Sequence, residues 1–261
     1  MISVYNKSCF KKRINFRRKA LTFKISLRVF VMKENLEKKQ EREERKKKIQ
    51  KLNEPPKLTN LEEVGNAVTH GIGALLAIAG MVLLLVKSDT GLKVMASCFY
   101  GISLFFLMLM SCLYHAFKSG STVKRLWRRF DYSSIYLLIG GTFAPLCLVY
   151  WGNTLGIVLF CIDWFLIILG ITIIGVFGPG RFSWVHFSLY FIIGWVGGIL
   201  FIPDFIRNNM NLFWIILIGG VIYTIGMIPF ARNKKYDHFK WHFFVLGGAI
   251  LHWFGIYLYI Y

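Results

Sequence analysis

Seven long apolar runs, separated by short polar stretches, dominate the chain from residue 66 onward. They cover about residues 66–86, 94–117, 132–150, 155–177, 184–202, 211–230 and 242–260. A helix needs about 20 predominantly apolar residues to cross the hydrocarbon core of a bilayer, and only helices and closed barrels satisfy their own backbone groups in lipid. Because the runs do not alternate polar and apolar positions as barrel strands do, they predict an all-α integral membrane protein with a bundle of seven transmembrane helices.

Composition agrees with this prediction, since 56% of the residues are hydrophobic, which is too apolar for a soluble domain of average composition. The five cysteines form no C-x-x-C pair. We interpret them as free thiols rather than as a disulfide framework or a zinc knuckle. Residues 1–30 lack the apolar segment of a cleavable signal peptide.

The first 60 residues form a basic, charged extension, and residues 61–261 form the membrane domain. Residues 1–31 contain nine Lys and Arg residues and no acidic residue. This composition suits an organelle transit peptide or sequence upstream of the true start, and we favour a start at Met32. Residues 33–54 place Glu and Lys or Arg at i,i+4 spacing, which predicts a solvated helix. This helix could attach to anionic lipid, but we favour a solvated tail that only fixes orientation.

The basic residues also predict the orientation of the bundle. With the N-terminus inside, the inner loops hold ten Lys and Arg residues and the outer loops three. The inner loops are 118–130, 178–183 and 231–241, and the outer loops are 87–93, 151–154 and 203–210. The positive-inside rule therefore predicts a cytoplasmic N-terminus and a C-terminus outside. It also accounts for the net charge of +19, so we expect membrane lipids and no nucleic acid as partners.

In this orientation, polar residues gather at the cytoplasmic ends of spans one, two, three and seven. Several recur at i,i+4, which places them on one helix face. Ionisable residues in lipid usually face the bundle interior or each other, so we expect this set to converge. Its members are Glu62, Asn66, His70, Ser111, His115, Asp131, His238 and His242.

The histidines of this set predict an intramembrane Zn²⁺ site near the cytoplasmic face. His115, His238 and His242 would supply three nitrogens, and water would take the fourth position, as in catalytic zinc sites. Zinc would lower the pKa of that water toward about 7 and polarise a carbonyl. Asp131 would hold the water or act as general base, and Ser111 would bond the water or an oxyanion. The remaining polar residues would hydrogen-bond to the metal ligands and orient them, or would join helices by hydrogen bonds: Glu62, Asn66 and His70.

A simpler interpretation stays open, because paired histidines on a membrane helix often serve only packing between helices. Asp163 stands alone on the fourth span and could belong to an ion path. His252 lies about 15 Å beyond the histidine pair of the last span, too far away to be a co-ligand. His186 has no partner motif.

The same residues resemble the motifs of the hemolysin III family, within the progestin and adipoQ receptor family that includes the adiponectin receptors. The resemblance covers residues 61–261. It is carried by Glu62-x-x-x-Asn66-x-x-x-His70, by Ser111-x-x-x-His115 followed by Asp131, and by His238-x-x-x-His242. The sequences of residues 111–115 and 140–145 also resemble those of the family.

The resemblance implies a cell-membrane protein of seven helices with zinc bound by the three histidines, and with Asp131 and Ser111 near the zinc-bound water. The wider group includes ceramidase-like membrane hydrolases, which implies an amide-bearing lipid as substrate. The bacterial branch is named for a pore-forming, lytic activity. Tyr132 stands where bacterial members often have histidine. Lys240 lies about 200° around the helix from His238 and should point away from the metal.

Three functions follow as hypotheses. The first is a zinc-dependent hydrolase of lipid amides or esters. The second is a cytolysin or pore-forming hemolysin, and the third is a receptor-like or lipid-homeostasis protein in which zinc is structural. A transporter that uses Asp163 and His252 is a weaker alternative. The sequence indicates neither the substrate nor the oligomeric state.

Overall fold

The computed structural model describes residues 2–232 and 234–261, and the side chains of residues 2–23 and 25–27 lie outside the described part. The chain divides into two compact units, Met1–Leu52 and Asn53–Tyr261. The first unit is one long helix, α1 (Ile2–Leu52). It contains the helix predicted from the charge spacing, and exposed ion pairs such as Lys38–Glu34 at 2.6 Å run along it. The start at Met32 stays a prediction.

The second unit consists of seven helices, each long and apolar enough to cross a membrane. No strand occurs in the described residues, so the all-α, seven-span prediction is confirmed. The helices are α2 (Asn60–Lys87), α3 (Gly91–Ala116), α4 (Thr122–Ala144), α5 (Thr154–Phe177), α6 (Ser183–Asn208), α7 (Met210–Arg232) and α8 (Asp237–Tyr259).

Several helices are longer than the apolar runs predicted. The segment 118–130, expected as a loop, is mostly the start of α4, and α6 continues to Asn208 through most of the expected loop 203–210. The first turn of α4 is capped by Ser121, whose hydroxyl accepts a hydrogen bond from the Lys124 N–H at 3.0 Å. An apolar run ends at its first charge. A helix can extend past that charge, because its backbone hydrogen bonds do not depend on whether the side chains are apolar.

Proline ends the regular part of the third span. Pro145 has no N–H to donate into the helix, and Pro145–Trp151 forms a π-helical segment. This segment ends at Gly152, whose φ of 54° lies in the left-handed region that favours glycine. Pro145 is thus tolerated within the span, as expected for a membrane helix.

The core sits where α2, α3 and α8 meet. α3 packs along both α2 and α4, and α8 packs along α2 and α7. Buried residues of α3 such as Tyr100 and Leu104 share one cluster with Val245 and Ala249 of α8. This packing fixes the starts of α2 and α8 against the end of α3, the three helix ends that carry most of the predicted site.

Four cysteines of the described part, Cys98, Cys112, Cys147 and Cys161, are free thiols as predicted. Cys9 lies outside the residues whose side chains are described.

Candidate metal centre

Three histidines meet at one end of the bundle. One ring nitrogen from each of His115, His238 and His242 lies within 4.8 Å of the other two. The Nε2 atoms of His115 and His238 are 3.0 Å apart. Tetrahedral zinc with Zn–N bonds of about 2.0–2.1 Å holds its ligand nitrogens about 3.3 Å apart. The three imidazoles therefore form a group of the right size and chemistry to hold a metal ion.

The start of α8 is fixed by a network that positions His238 and His242. Tyr236 adopts a left-handed conformation, with φ of 64°, immediately before the helix. The buried Asp237 carboxylate accepts two hydrogen bonds from Arg232, both of 2.7 Å, and one from the Lys234 N–H. The first turn of α8 is therefore tied to the end of α7, and its two histidines follow one turn apart on one face.

Glu62 contributes to this anchoring rather than to the histidine group. Its carboxylate caps α2 together with Thr59, and it also accepts the Tyr236 N–H. Of the two roles predicted for Glu62, the structure shows the hydrogen bond that joins helices.

Glu63, which lies outside the i,i+4 motif of Glu62, Asn66 and His70, makes the contact with the histidine group. Its Oε2 atom lies 2.7 Å from Nδ1 of His115. A carboxylate only accepts hydrogen bonds, so the neutral ring carries its proton on Nδ1 and directs the Nε2 lone pair toward His238. Hydrogen bonds of this kind fix the tautomer and orientation of metal-binding histidines. Glu63 was missed because its neighbour Glu62 fits the i,i+4 series with Asn66 and His70.

Lys124 completes a chain of contacts that leads to His115. Its ammonium lies 2.8 Å from Oε1 of Glu63, with the side chain fully buried. It also donates to the Phe117 carbonyl at 3.0 Å and lies over the Tyr114 ring. In the sequence Lys124 counts as an inner-loop charge, but in the structure it joins α4 to α2 beneath the histidine group.

Asn66 and His70 also lie at the histidine group. The Asn66 amide nitrogen is 3.4 Å from Nδ1 of His115. The His70 ring stacks on His242, with ring centroids 3.7 Å apart and an interplanar angle of 24°. Both His70 nitrogens and Nδ1 of His242 are buried and have no hydrogen-bond partner within the described part of the chain. Buried polar atoms without partners need an explanation, and a bound ion is one such explanation, which is consistent with a metal ion at the group.

Asp131 and Ser111 lie beside the histidines in a common cavity. Both are buried, and the Ser111 hydroxyl interacts with the Asp131 carboxylate. The cavity has ≈ 200 Å³ of space for the centres of water-sized molecules. Its polar end is formed by His70, Ser111, Asp131, His238 and His242. The rest of its wall is mainly apolar, with side chains from α4, α6, α7 and α8.

The other predicted polar residues lie apart from the group. Asp163 faces α4, and its Oδ2 atom has no hydrogen-bond partner in the described part. His186 pairs with the Tyr136 hydroxyl at 3.0 Å. Lys240 is exposed and lies 3.6 Å from Asp237, so it points away from the histidine group as predicted. His252 lines the cavity farther along α8.

Comparison with known proteins identifies the family. A sequence model described as "Haemolysin-III related" matches residues 58–253, which include α2 to α7, most of α8 and every residue of the histidine group. The chain belongs to the hemolysin III family. Hemolysin-3 of Bacillus cereus is 37% identical over 203 residues, covering 76% of this chain and 92% of that protein. The Hemolysin-3 homolog of Bacillus subtilis is 33% identical, covering 76% of this chain and 94% of that protein.

A more distant relative places the family in a wider group. The human monocyte to macrophage differentiation factor is 27% identical over 215 residues, which is 78% of this chain and 87% of that protein. This likeness supports the hemolysin III family as a branch of the progestin and adipoQ receptor family. Seven apolar helices together with this membership identify a multi-pass protein of the cell membrane.

Proposed function

We propose that this hemolysin III protein is a zinc-dependent hydrolase of lipid amides. The observation that carries the proposal is the position of the three-histidine group. Two of its members, His238 and His242, line one end of a mainly apolar cavity together with a carboxylate and a hydroxyl, those of Asp131 and Ser111. Apolar walls with a few convergent polar groups are the usual form of a binding site for a small molecule.

The cavity supports a lipid as substrate. Aromatic and aliphatic side chains of α6 and α7, among them Phe187, Phe191, Leu217 and Met227, form its wall. This wall suits an acyl chain, and the polar end would then receive the amide. His70 offers two buried ring nitrogens without partners at that end, which can bond the amide oxygen or nitrogen.

The residues of the polar end have the chemistry that amide hydrolysis needs. A zinc ion held by His115, His238 and His242 would supply a Lewis acid that polarises the carbonyl and activates water. Asp131 would accept a proton as water oxygen attacks the carbonyl carbon. It would return that proton to the amide nitrogen as the C–N bond breaks, releasing a carboxylic acid and an amine. Ser111 would keep the carboxylate oriented for both transfers.

The test combines metal content with turnover in the purified full chain. We expect one zinc per chain, lost when His238→Ala and His242→Ala are combined. We also expect zinc-dependent hydrolysis of ceramide, abolished by Asp131→Asn while zinc is retained. Zinc binding without hydrolysis of any lipid amide would contradict the enzyme and leave the receptor-like role with structural zinc.

The name hemolysin-3, which the two Bacillus relatives share, favours a second candidate, a lytic protein. Its test is lysis of red cells by the expressed chain and by His115→Ala. Lysis that persists in the variant, in a chain without zinc, would support the cytolysin over the hydrolase.

A further inference from the structure

A second polar position lies inside the apolar part of the cavity. It is formed by His252 of α8 and Tyr223 of α7, which both line the cavity wall. Their rings meet edge to face, with centroids 5.4 Å apart and an interplanar angle of 62°. His252 follows His242 by ten residues on α8, which corresponds to about 15 Å along the helix axis.

Both side chains have hydrogen-bonding capacity that the protein leaves unused. Nε2 of His252 lies 3.1 Å from the Ile216 carbonyl, so this nitrogen carries the proton and Nδ1 is an acceptor. Nδ1 of His252 and the Tyr223 hydroxyl are both buried, and neither has a hydrogen-bond partner among the residues that the structure describes. Together they offer one acceptor and one hydroxyl that can donate.

Other polar groups of the same wall are satisfied within the protein. The Thr142 hydroxyl donates to the Leu138 carbonyl at 2.8 Å. Trp195 Nε1 donates to Thr224 at 3.0 Å, and Thr224 donates in turn to the Gly220 carbonyl. Among the described lining residues away from the polar end, where His70 and His242 lie, His252 and Tyr223 are therefore the ones with buried polar atoms left open.

Two glycines make the room that these rings occupy. A Cβ atom on Gly248 would come within 2.8 Å of the Tyr223 ring, and one on Gly219 would collide with the His252 imidazole. The two polar side chains are thus packed into fixed positions against helix backbone rather than placed loosely at the wall.

A ligand hydroxyl would satisfy both groups at once, by donating to Nδ1 of His252 and accepting from Tyr223. A plain hydrocarbon chain would leave both buried groups unpaired, which is unfavourable. The distance of about 15 Å from the histidine group is the reach of an extended chain of roughly 12 carbon–carbon bonds. We propose that the cavity selects acyl lipids that bear a hydroxyl near the middle of the chain, recognised by His252 and Tyr223. This inference rests on the proposed binding of an acyl chain in the cavity.

The test measures binding of three fatty acids to the full chain in nanodiscs: stearate, 12-hydroxystearate and 2-hydroxystearate. The hydrogen bonds of the added hydroxyl to His252 and Tyr223 should tighten binding of 12-hydroxystearate over stearate by about tenfold or more. The 2-hydroxy isomer is the positional control, since its hydroxyl would lie at the histidine end. Combining Tyr223→Phe with His252→Phe should bring the ratio of 12-hydroxystearate to stearate affinity close to one, and each substitution alone should lower this ratio.

The outcomes separate this inference from the proposed function. Equal affinity of the wild-type chain for stearate and 12-hydroxystearate would overturn the hydroxyl site while leaving the lipid cavity in place. A full preference for 12-hydroxystearate that survives in the variants would show that His252 and Tyr223 do not recognise the hydroxyl. Failure of all three fatty acids to bind would overturn the lipid cavity itself, and the hydroxyl site with it.

Discussion

At the scale of single residues, two adjacent glutamates at the start of α2 make different contacts. Neighbours on a helix point about 100° apart, so Glu62 faces the turn before α8 and Glu63 faces His115. The i,i+4 spacing with Asn66 and His70 selects Glu62 in the sequence. The carboxylate that orients a candidate ligand is nevertheless Glu63, because the position of α3 beside α2 decides which of the two meets the histidine.

We expect Glu63→Gln to weaken zinc binding by roughly 10- to 100-fold, since a carboxamide orients His115 less firmly than a carboxylate. The zinc dissociation constant of the purified chain, measured by competition with a chelator, checks this. Glu44→Gln makes the same chemical change at an exposed position of α1 and should leave zinc affinity unchanged. Equal affinities for the two variants would show that Glu63 is not a positioning residue.

Lys124 gives a second prediction at this scale. Replacing it by Met would leave the buried Glu63 carboxylate without its cation, and breaking a buried pair costs about 3–5 kcal/mol. The neighbouring Arg125 forms a longer, 3.5 Å pair with Glu54, and its side chain is 28% exposed. Arg125→Met should therefore cost less than about 1 kcal/mol. Thermal unfolding in detergent compares the two, and a similar loss in both would contradict the role given to Lys124.

At the scale of elements, the packing of α5 against α4 depends on one close approach. A Cβ atom at Gly170 would lie 2.6 Å from a ring carbon of Tyr136, a fully buried side chain. Overpacking of this kind costs about 1–3 kcal/mol, so Gly170→Val should lower the melting temperature clearly.

Gly175 of the same helix provides the matched control. A Cβ atom there meets no other atom within 4 Å, so Gly175→Val should change the melting temperature little. If both variants unfold at the same temperature, the approach of α5 to Tyr136 does not limit its packing.

At the scale of the whole molecule, an odd number of spans places the two ends of the bundle on opposite sides of the membrane. The ten-to-three distribution of basic residues between loops predicts that the N-terminal side is cytoplasmic. We expect alkaline phosphatase fused after Tyr261 to be active and a green fluorescent protein at the same position to be dark. A fluorescent C-terminal fusion would reverse the orientation and place the histidine group at the outer face.

The sequence by itself determined the number and type of the spans, because a bilayer admits only long apolar helices of a narrow range of lengths. It also determined which histidines could act together, since i,i+4 spacing holds His238 and His242 on one face whatever lies around them. Only the tertiary structure decided the true helix ends, the burial of Lys124, the choice of Glu63 over Glu62 and the open polar pair of His252 and Tyr223. Each of these depends on which side chain of one helix meets which side chain of another, and that is set by packing across the bundle rather than by any local pattern.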